Sequence, residues 1–138
     1  MSNRDPGEEK PGTKIRALDE KRIMVVEDDP DQGALLRGVL VDRNAFVSVF
    51  VDAQSCLAQD FGRFDAVLLD QNLPDCPGTE LLERILAKKR LPVIIVTGEN
   101  DYELAVDAIQ RGASDYICKA GDYLHVIPLV VQKNLEQF

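Results

Sequence analysis

Cysteine is scarce in this chain, limited to Cys56, Cys76 and Cys118. They form no CxxC pair and no metal-ligand spacing, and an odd number cannot make a fully paired disulfide framework. A reducing cytoplasm is the simplest reading. Long apolar runs are missing too: none reaches the ~20 residues of a membrane span, and the N-terminus has no apolar signal core. Basic residues are outnumbered, 16 Lys and Arg against 24 Asp and Glu, for a net charge of −8. That balance argues against a nucleic-acid surface, which needs clustered cations. It suits a carboxylate site that expects a cation, alongside ordinary solvated surface. There is no P-loop, dinucleotide fingerprint, internal repeat or low-complexity tract. The single histidine, His125, reads as a helix-entry residue.

What is present is a regular alternation. A chain of 138 residues, 45% hydrophobic and 29% charged, fits one domain with a sizeable core. Residues 1–21 hold Pro6, Gly7, Pro11, Gly12 and many charges, with Ile15 and Leu18 the only large apolar residues. They read as a flexible lead-in or linker, with a short helical turn expected from Ile15. From Arg22 to Phe138 the pattern is that of a folded domain. Strands are expected at Ile23–Val26, Ala45–Val51, Phe64–Asp70, Pro92–Thr97 and Ser114–Cys118. Helices are expected between them, the first capped by Asp29 with Pro30 following and the second over Asp52 to about Asp60. The third carries Leu81, Leu82, Ile85 and Leu86 on one face, and the fourth starts in an Asn100–Glu103 capping box and stops at Gly112. Pro128 predicts a short turn near Asp122–His125 and a main last helix from about Val126 to Glu136. Phe46, Phe50, Phe61 and Phe64 are expected in core or edge packing. The whole reads as α/β: a flavodoxin-like (βα)5 doubly wound parallel sheet of order 2-1-3-4-5.

Chemistry collects where these strands end. The stretch VLLDQNLPDCPG (Val67–Gly78) runs an apolar strand into one acid, Asp70, and then turns. Strand one ends in Glu27 and Asp28, strand four in Thr97 and Gly98, and strand five in Lys119. Each has an ordinary alternative as a cap, a turn residue or a solvated charge. Together they place three carboxylates, a hydroxyl and an amine on one sheet edge, where ligands of open α/β sheets bind. Crowded carboxylates repel unless a cation joins them, and Mg²⁺ prefers one or two carboxylates with water and a phosphate oxygen. Asp70 is then a nucleophile able to form an aspartyl phosphate, with Lys119, Thr97 and the backbone at Asn72 and Gly98 facing the phosphoryl oxygens. Cys76, in the loop after Asp70, is expected to be exposed.

From Arg22 to about Gln137 the chain resembles the CheY-like receiver domains of two-component response regulators. The resemblance rests on MVVEDD (Met24–Asp29), LLDQNLPDCPG (Leu68–Gly78), VIIVTG (Val93–Gly98) and DYICK (Asp115–Lys119), in order and at receiver-like spacing. It implies that Asp70 accepts a phosphoryl group from a histidine kinase or a histidine phosphotransfer protein. It implies Mg²⁺ at Asp28 and Asp70, with Glu27 completing the acidic pair and the Asn72 carbonyl as third protein ligand. Thr97 and Tyr116 match the family's switch pair, and Lys119 its phosphate-pairing lysine. A phosphorylated surface is then read by an output partner or a fused output domain. Asn72 and Glu99, two residues after Asp70 and Thr97, match positions that influence hydrolysis of the acyl phosphate.

Two departures bear on that expectation. Ala120 stands where the family has a cis-proline, so the Lys119–Ala120 bond is either trans with an altered loop or cis and held by its surroundings. Pro128 interrupts the last helix. Both lie on the surface through which many receivers form a phosphorylation-dependent dimer, so that mode is not carried over. Two further readings compete. One is a phosphate-independent scaffold. The other is a Mg²⁺-dependent phosphohydrolase, against which stands Asn72 where haloacid-dehalogenase enzymes place a second aspartate. No output domain follows in this sequence, and the linker-like N-terminus leans toward a piece of a longer protein.

Overall fold

The apolar runs are parallel neighbours in one sheet. A computed structural model describes residues 18–138, with strands β1 (Arg22–Val26), β2 (Phe46–Phe50), β3 (Ala66–Leu69), β4 (Val93–Thr97) and β5 (Asp115–Cys118). Their order is β2-β1-β3-β4-β5 and every pairing is parallel, as the alternation of elements predicts. The crossovers are helices α1 (Pro30–Val41), α2 (Ala53–Leu57), α3 (Gly78–Lys88), α4 (Tyr102–Gln110) and α5 (Tyr123–Gln137), with a 3₁₀ turn at Phe61–Arg63.

Because side chains alternate across a strand, each central strand feeds two cores. Ile23, Val25, Leu68, Ile94 and Val96 pack under Leu36 and Leu40 of α1 and Ile127 and Val131 of α5. Met24, Val26, Val67, Leu69 and Ile95 pack under Ala53 and Cys56 of α2, Leu81, Leu82 and Ile85 of α3, and Ala108 of α4. Strand β4 is buried along its whole length, which explains its unbroken apolar sequence. Residues 1–17, most of the expected lead-in, lie outside the described residues. Leu18 at its end is fully buried in the α1–α5 core, and its N–H donates to the Arg43 carbonyl (3.3 Å).

Several local expectations shift. The α4 cap is Asp101 rather than Asn100: its carboxylate accepts from the N–H groups of Glu103 (2.9 Å) and Leu104 (3.3 Å), the reach an N-cap has. Helix α2 ends at Leu57, because Asp60 caps the following turn through the Gly62 N–H (2.9 Å). Helix α5 is continuous from Tyr123, with Pro128 inside it and buried. Proline leaves the Leu124 carbonyl without its helical donor, and burial of Ile127, Pro128 and Val131 holds the turn together. Phe61 and Phe64 are buried, and Phe50 packs edge-on against Phe64 (6.4 Å between centroids). Phe46 does not pack; it is 62% exposed on the outermost strand.

Glycine is required where α3 begins. A Cβ on Gly78 would lie 2.5 Å from the Asp70 carbonyl oxygen and 2.8 Å from the Gln71 Cα, both backbone atoms that cannot swing aside. Gly38 in α1 is exposed, with nothing within 4 Å of such a Cβ. The two positions therefore predict opposite outcomes in urea unfolding. Gly78→Ala should destabilise by about 1–3 kcal/mol through overpacking, whereas Gly38→Ala should stabilise by about 0.5–1 kcal/mol by removing a helix-interior glycine. A stability gain for Gly78→Ala would show that the loop is not held as described.

Strands β1 and β3 are tied at their start by Asp65, whose carboxylate accepts from the Arg22 N–H (2.7 Å) while its own N–H donates to the Arg22 carbonyl (2.7 Å). Burial works to raise the Asp65 pKa, but the Arg22 N–H and guanidinium outweigh it and hold the carboxyl below its usual value. A depressed carboxylate contributes stability above its unfolded pKa, about 3.9, and loses that contribution as pH falls through the lower folded value. The stability gap between wild type and Asp65→Asn should thus be constant near neutrality and close progressively below about pH 4. A gap independent of pH across acid titration would refute this.

Candidate functional site

The sheet register sets the site's height. Val26 of β1, Leu69 of β3, Ile95 of β4 and Tyr116 of β5 stand in one row across the strands. Glu27 and Asp70 follow one residue past that row, and the Asp70 N–H donates to the Val26 carbonyl (3.0 Å). Thr97 ends β4 two residues past it, paired with Cys118, and Lys119 comes next on β5. Residues distant in sequence therefore reach one edge because four strands stop together.

Acidic oxygens of Glu27, Asp28 and Asp70 lie within 4.8 Å of one another. Glu27 is 2% and Asp70 8% exposed, whereas Asp28 is open to solvent. The Lys119 ammonium meets Glu27 Oε1 at 2.6 Å, and Glu27 Oε2 accepts the Asp29 N–H at 3.2 Å. Burial raises the Glu27 pKa, opposed by those two hydrogen bonds and reinforced by the Asp70 charge. Burial works to lower the Lys119 pKa, but the Glu27 hydrogen bond and the charges of Asp70 and Glu27 prevail and raise it. The lysine therefore stays cationic at neutral pH. Three carboxylates and one ammonium leave a formal charge of −2. A donor set of oxygens only with that charge fits a hard divalent cation such as Mg²⁺, and Glu27 is already engaged by Lys119.

An open cleft of about 520 Å³ borders Asp28, lined by Gln71, Asn72, Asp75 and Pro77 among others. Asn72 is exposed there and forms an isolated antiparallel bridge with Pro77. Gly98 is exposed, with no atom within 4 Å of where a Cβ would be, so its backbone is open to approach.

Thr97 is fully buried and Tyr116 half-buried. One backbone unit joins them: the Glu99 N–H donates to Thr97 Oγ1 (3.4 Å), and the Tyr116 hydroxyl donates to the Glu99 carbonyl (2.9 Å). The Glu99 side chain is exposed, so the structure engages Glu99 through its main chain. The Lys119–Ala120 bond is trans, since the described residues contain no cis peptide. The Ala120 N–H, which proline would lack, donates to the Cys118 carbonyl (2.8 Å).

Two residues of the β3–α3 loop carry roles that the sequence does not announce. Pro77 caps α3 without any side-chain bond; instead Gln71 accepts the Gly78 N–H on its carbonyl (2.8 Å) and the Thr79 N–H on Oε1 (3.0 Å). Asp75 reaches across to α2, accepting from Ala53 (2.9 Å) and Gln54 (3.0 Å). The residue type after Asp70, an amide able to accept, was the only available signal for Gln71. Cys76 is buried rather than exposed, and burial pushes its thiol pKa up, so it is not a reactive thiolate. His125 is exposed, and its N–H closes the first turn of α5 on the Asp122 carbonyl (3.0 Å).

Comparison with known proteins agrees with this geometry. The profile for the "Response regulator receiver domain" matches residues 23–127. A "Transcriptional regulatory protein TcrA" of Mycobacterium tuberculosis is 34% identical over 112 residues, covering 79% of this chain and 44% of that protein. A 14.6 kDa protein encoded beside sodA1 in Leptolyngbya boryana is 35% identical over 122 residues, covering 86% of this chain and 93% of its own. The chain spans about half the length of the "Transcriptional activator protein IrlR" of Burkholderia pseudomallei, 48% at 31% identity. Among solved structures, the receiver domain protein of Methanospirillum hungatei superimposes with a TM-score of 0.74 at 30% identity, covering 86% of this chain and 99% of that one. The beryllofluoride-activated DrrB receiver domain gives 0.77 at 28% identity, covering 85% and 98%. With the sheet order, the acidic edge and the lysine across from it already in place, these matches make the chain a member of the response regulator receiver domain family.

Proposed function

We propose that this domain is a phosphoacceptor: Asp70 takes a phosphoryl group from a phosphohistidine of a kinase or phosphotransfer protein, with Mg²⁺ bound, and the change is read at a partner-binding surface. The observation that carries the reading is the convergence of Glu27, Asp28 and Asp70 within 4.8 Å beside the Lys119 ammonium. An Asp70 carboxylate oxygen attacks phosphorus, the phosphorus–nitrogen bond breaks, and the electron pair leaves with the donor imidazole. Asp28, Asp70 and the Asn72 carbonyl would hold the metal, which when bound screens the carboxylates from the incoming phosphoryl oxygens. Lys119 pairs with one of those oxygens, while the Thr97 hydroxyl and the Asn72 and Gly98 backbone donate to others. Thr97 shares the Glu99 backbone with Tyr116, so a hydroxyl drawn toward a phosphoryl group loosens the peptide that holds the tyrosine. That supports Thr97 and Tyr116 as the switch pair.

On this reading the domain catalyses only its own phosphorylation and dephosphorylation. Residues 22–138 form the working unit, with Leu18 packed into its α1–α5 core, in a cytoplasmic protein. Its listener is an output domain or a separate partner. None of the described helices is long and apolar enough to cross a membrane.

Beryllofluoride, a phosphoryl mimic, tests the acceptor. With Mg²⁺ the wild type should show a bound ¹⁹F signal and Asp70→Asn should not; a variant that still binds it in the same cleft would sink the proposal. Lys119 separates charge from catalysis. Lys119→Met takes the local formal charge from −2 to −3, so Mg²⁺ should bind more tightly. Phosphoryl uptake from a small-molecule donor should nevertheless slow by about 10²-fold, the usual loss on removing one transition-state donor. Parallel loss of both would mean that the substitution merely disorders the site.

A further inference from the structure

The two edges of the sheet are treated differently. Strand β5 carries Asp115, held by Lys133 (3.3 Å) and Asn134 (3.3 Å). Strand β2 has no charge, proline or bulge: it is FVSVF, paired in regular register with β1 on one side and, among the described residues, with nothing on the other. Natural edges are usually guarded by such devices, and an unguarded apolar edge is a template for another strand. Helix α2 has only five residues and does not cover the outer part of β2. A groove of about 360 Å³ is left there, lined by Phe46, Ser48, Phe50, Arg22, Asp60 and Arg63 among others. Phe46 is 62%, Val49 36% and Val51 52% exposed.

From this edge we infer a homodimer in which β2 pairs antiparallel with β2 of a second copy about a two-fold axis through Ser48. Three observations select a second copy. The strand sequence Phe46-Val47-Ser48-Val49-Phe50 is a palindrome, so an antiparallel two-fold sets Phe46 opposite Phe50 and Val47 opposite Val49 in both halves, as an isologous interface requires. The backbone agrees with that register. The Phe46 N–H and the Phe50 carbonyl bond toward β1, at Lys21 and Glu27; by the alternation of a parallel ladder, Val47 and Val49 turn their N–H and C=O groups outward. Opposed Val47 and Val49 then form the hydrogen-bonded pairs, and Ser48 meets its own copy in a non-hydrogen-bonded pair. Charge agrees as well. The strand starts beside exposed Lys21, Arg22 there being paired with Asp65, and runs into Asp52, so the antiparallel arrangement sets the Lys21 end of one copy beside the acidic end of the other. The interface is independent of Asp70 and gives one continuous ten-strand sheet. The pairing strand has five residues, against roughly 20–30 a side in a standard interface, so the dimer forms and dissociates with concentration.

Sedimentation velocity on the whole chain, in a concentration series reaching the millimolar range, reads this directly. Wild type should shift from monomer to dimer. Ser48→Lys sets two cations face to face and should stay monomeric where wild type is mostly dimer. Val49→Pro removes an outward donor and leaves the β1 ladder intact, and should do the same; if it does not fold, the exposed Ser48→Lys carries the test. Register is read by oxidative cross-linking against the unsubstituted chain. Ser48→Cys places two Cα atoms about 4.5 Å apart, within disulfide range, and should cross-link, while Phe46→Cys should not. A wild type monomeric throughout, self-association indifferent to both variants, or equal cross-linking at 46 and 48 would each overturn the inference.

Discussion

The contact on which the site depends is the ion pair between Lys119 and Glu27, 92 residues apart and 2.6 Å long. It runs from the end of β5 to the end of β1, spanning β3 and β4 between them, with Asp70 directly after β3. Its side chains are 14% and 2% exposed. Such a pair contributes little net stability, because each charge loses its hydration, while breaking it by removing one partner typically costs about 3–5 kcal/mol. Its physical effect is positional. Without Lys119, buried Glu27 and Asp70 would face one another with no cation between their strands. With it, the ammonium stands beside both carboxylates at the edge where β1 and β3 end.

Asp70 must also be held, and the restraint comes from the far side of its loop. Gly78 brings the first turn of α3 against the Asp70 carbonyl, closer than any side chain would permit. Gln71 then replaces the missing cap by accepting the Gly78 and Thr79 N–H groups. Asp75 binds the start of α2 through two further N–H groups. The Asp70 loop is thus fastened to two helices by carbonyl and carboxylate oxygens, satisfying helix ends that their own caps leave open.

What the sequence disclosed follows from which interactions are local. Apolar strands ending in acid, hydroxyl and lysine could be read directly, because strand direction and the crossover rule bring their carboxyl ends to one edge. The cap by Asp29 was legible for the same reason, since a carboxylate bonds N–H groups two or three residues on. Asn100 against Asp101 shows the limit of that local reading: two residues with capping chemistry stand side by side, and only the backbone decides between them. Gln71 and Asp75 were not legible, because neither sits at the usual N-cap position: Gln71 caps α3 from eight residues before Thr79, and Asp75 caps α2, which precedes it in the chain. Cys76 looked like a loop residue and is buried because that loop folds onto α2 and α3. Phe46 reads from the sequence as core or edge packing and is exposed because α2 stops after five residues, with Asp60 capping the turn that follows.

The loop after β5 shows how the lysine is aimed without the family's proline. The Lys119 N–H continues the β4–β5 ladder by donating to the Thr97 carbonyl (2.8 Å), and the Ala120 N–H folds back on the Cys118 carbonyl at the same length. The first bond fixes where Lys119 leaves the sheet, directly beside Thr97. The second bends the chain immediately after it, and Gly121, at φ +57°, continues the turn in a conformation that glycine adopts without steric cost. Two hydrogen bonds and one glycine thus supply the direction that a fixed ring otherwise would, and the side chain still reaches Glu27. In this chain that direction delivers the Lys119 ammonium to Glu27 Oε1 at 2.6 Å.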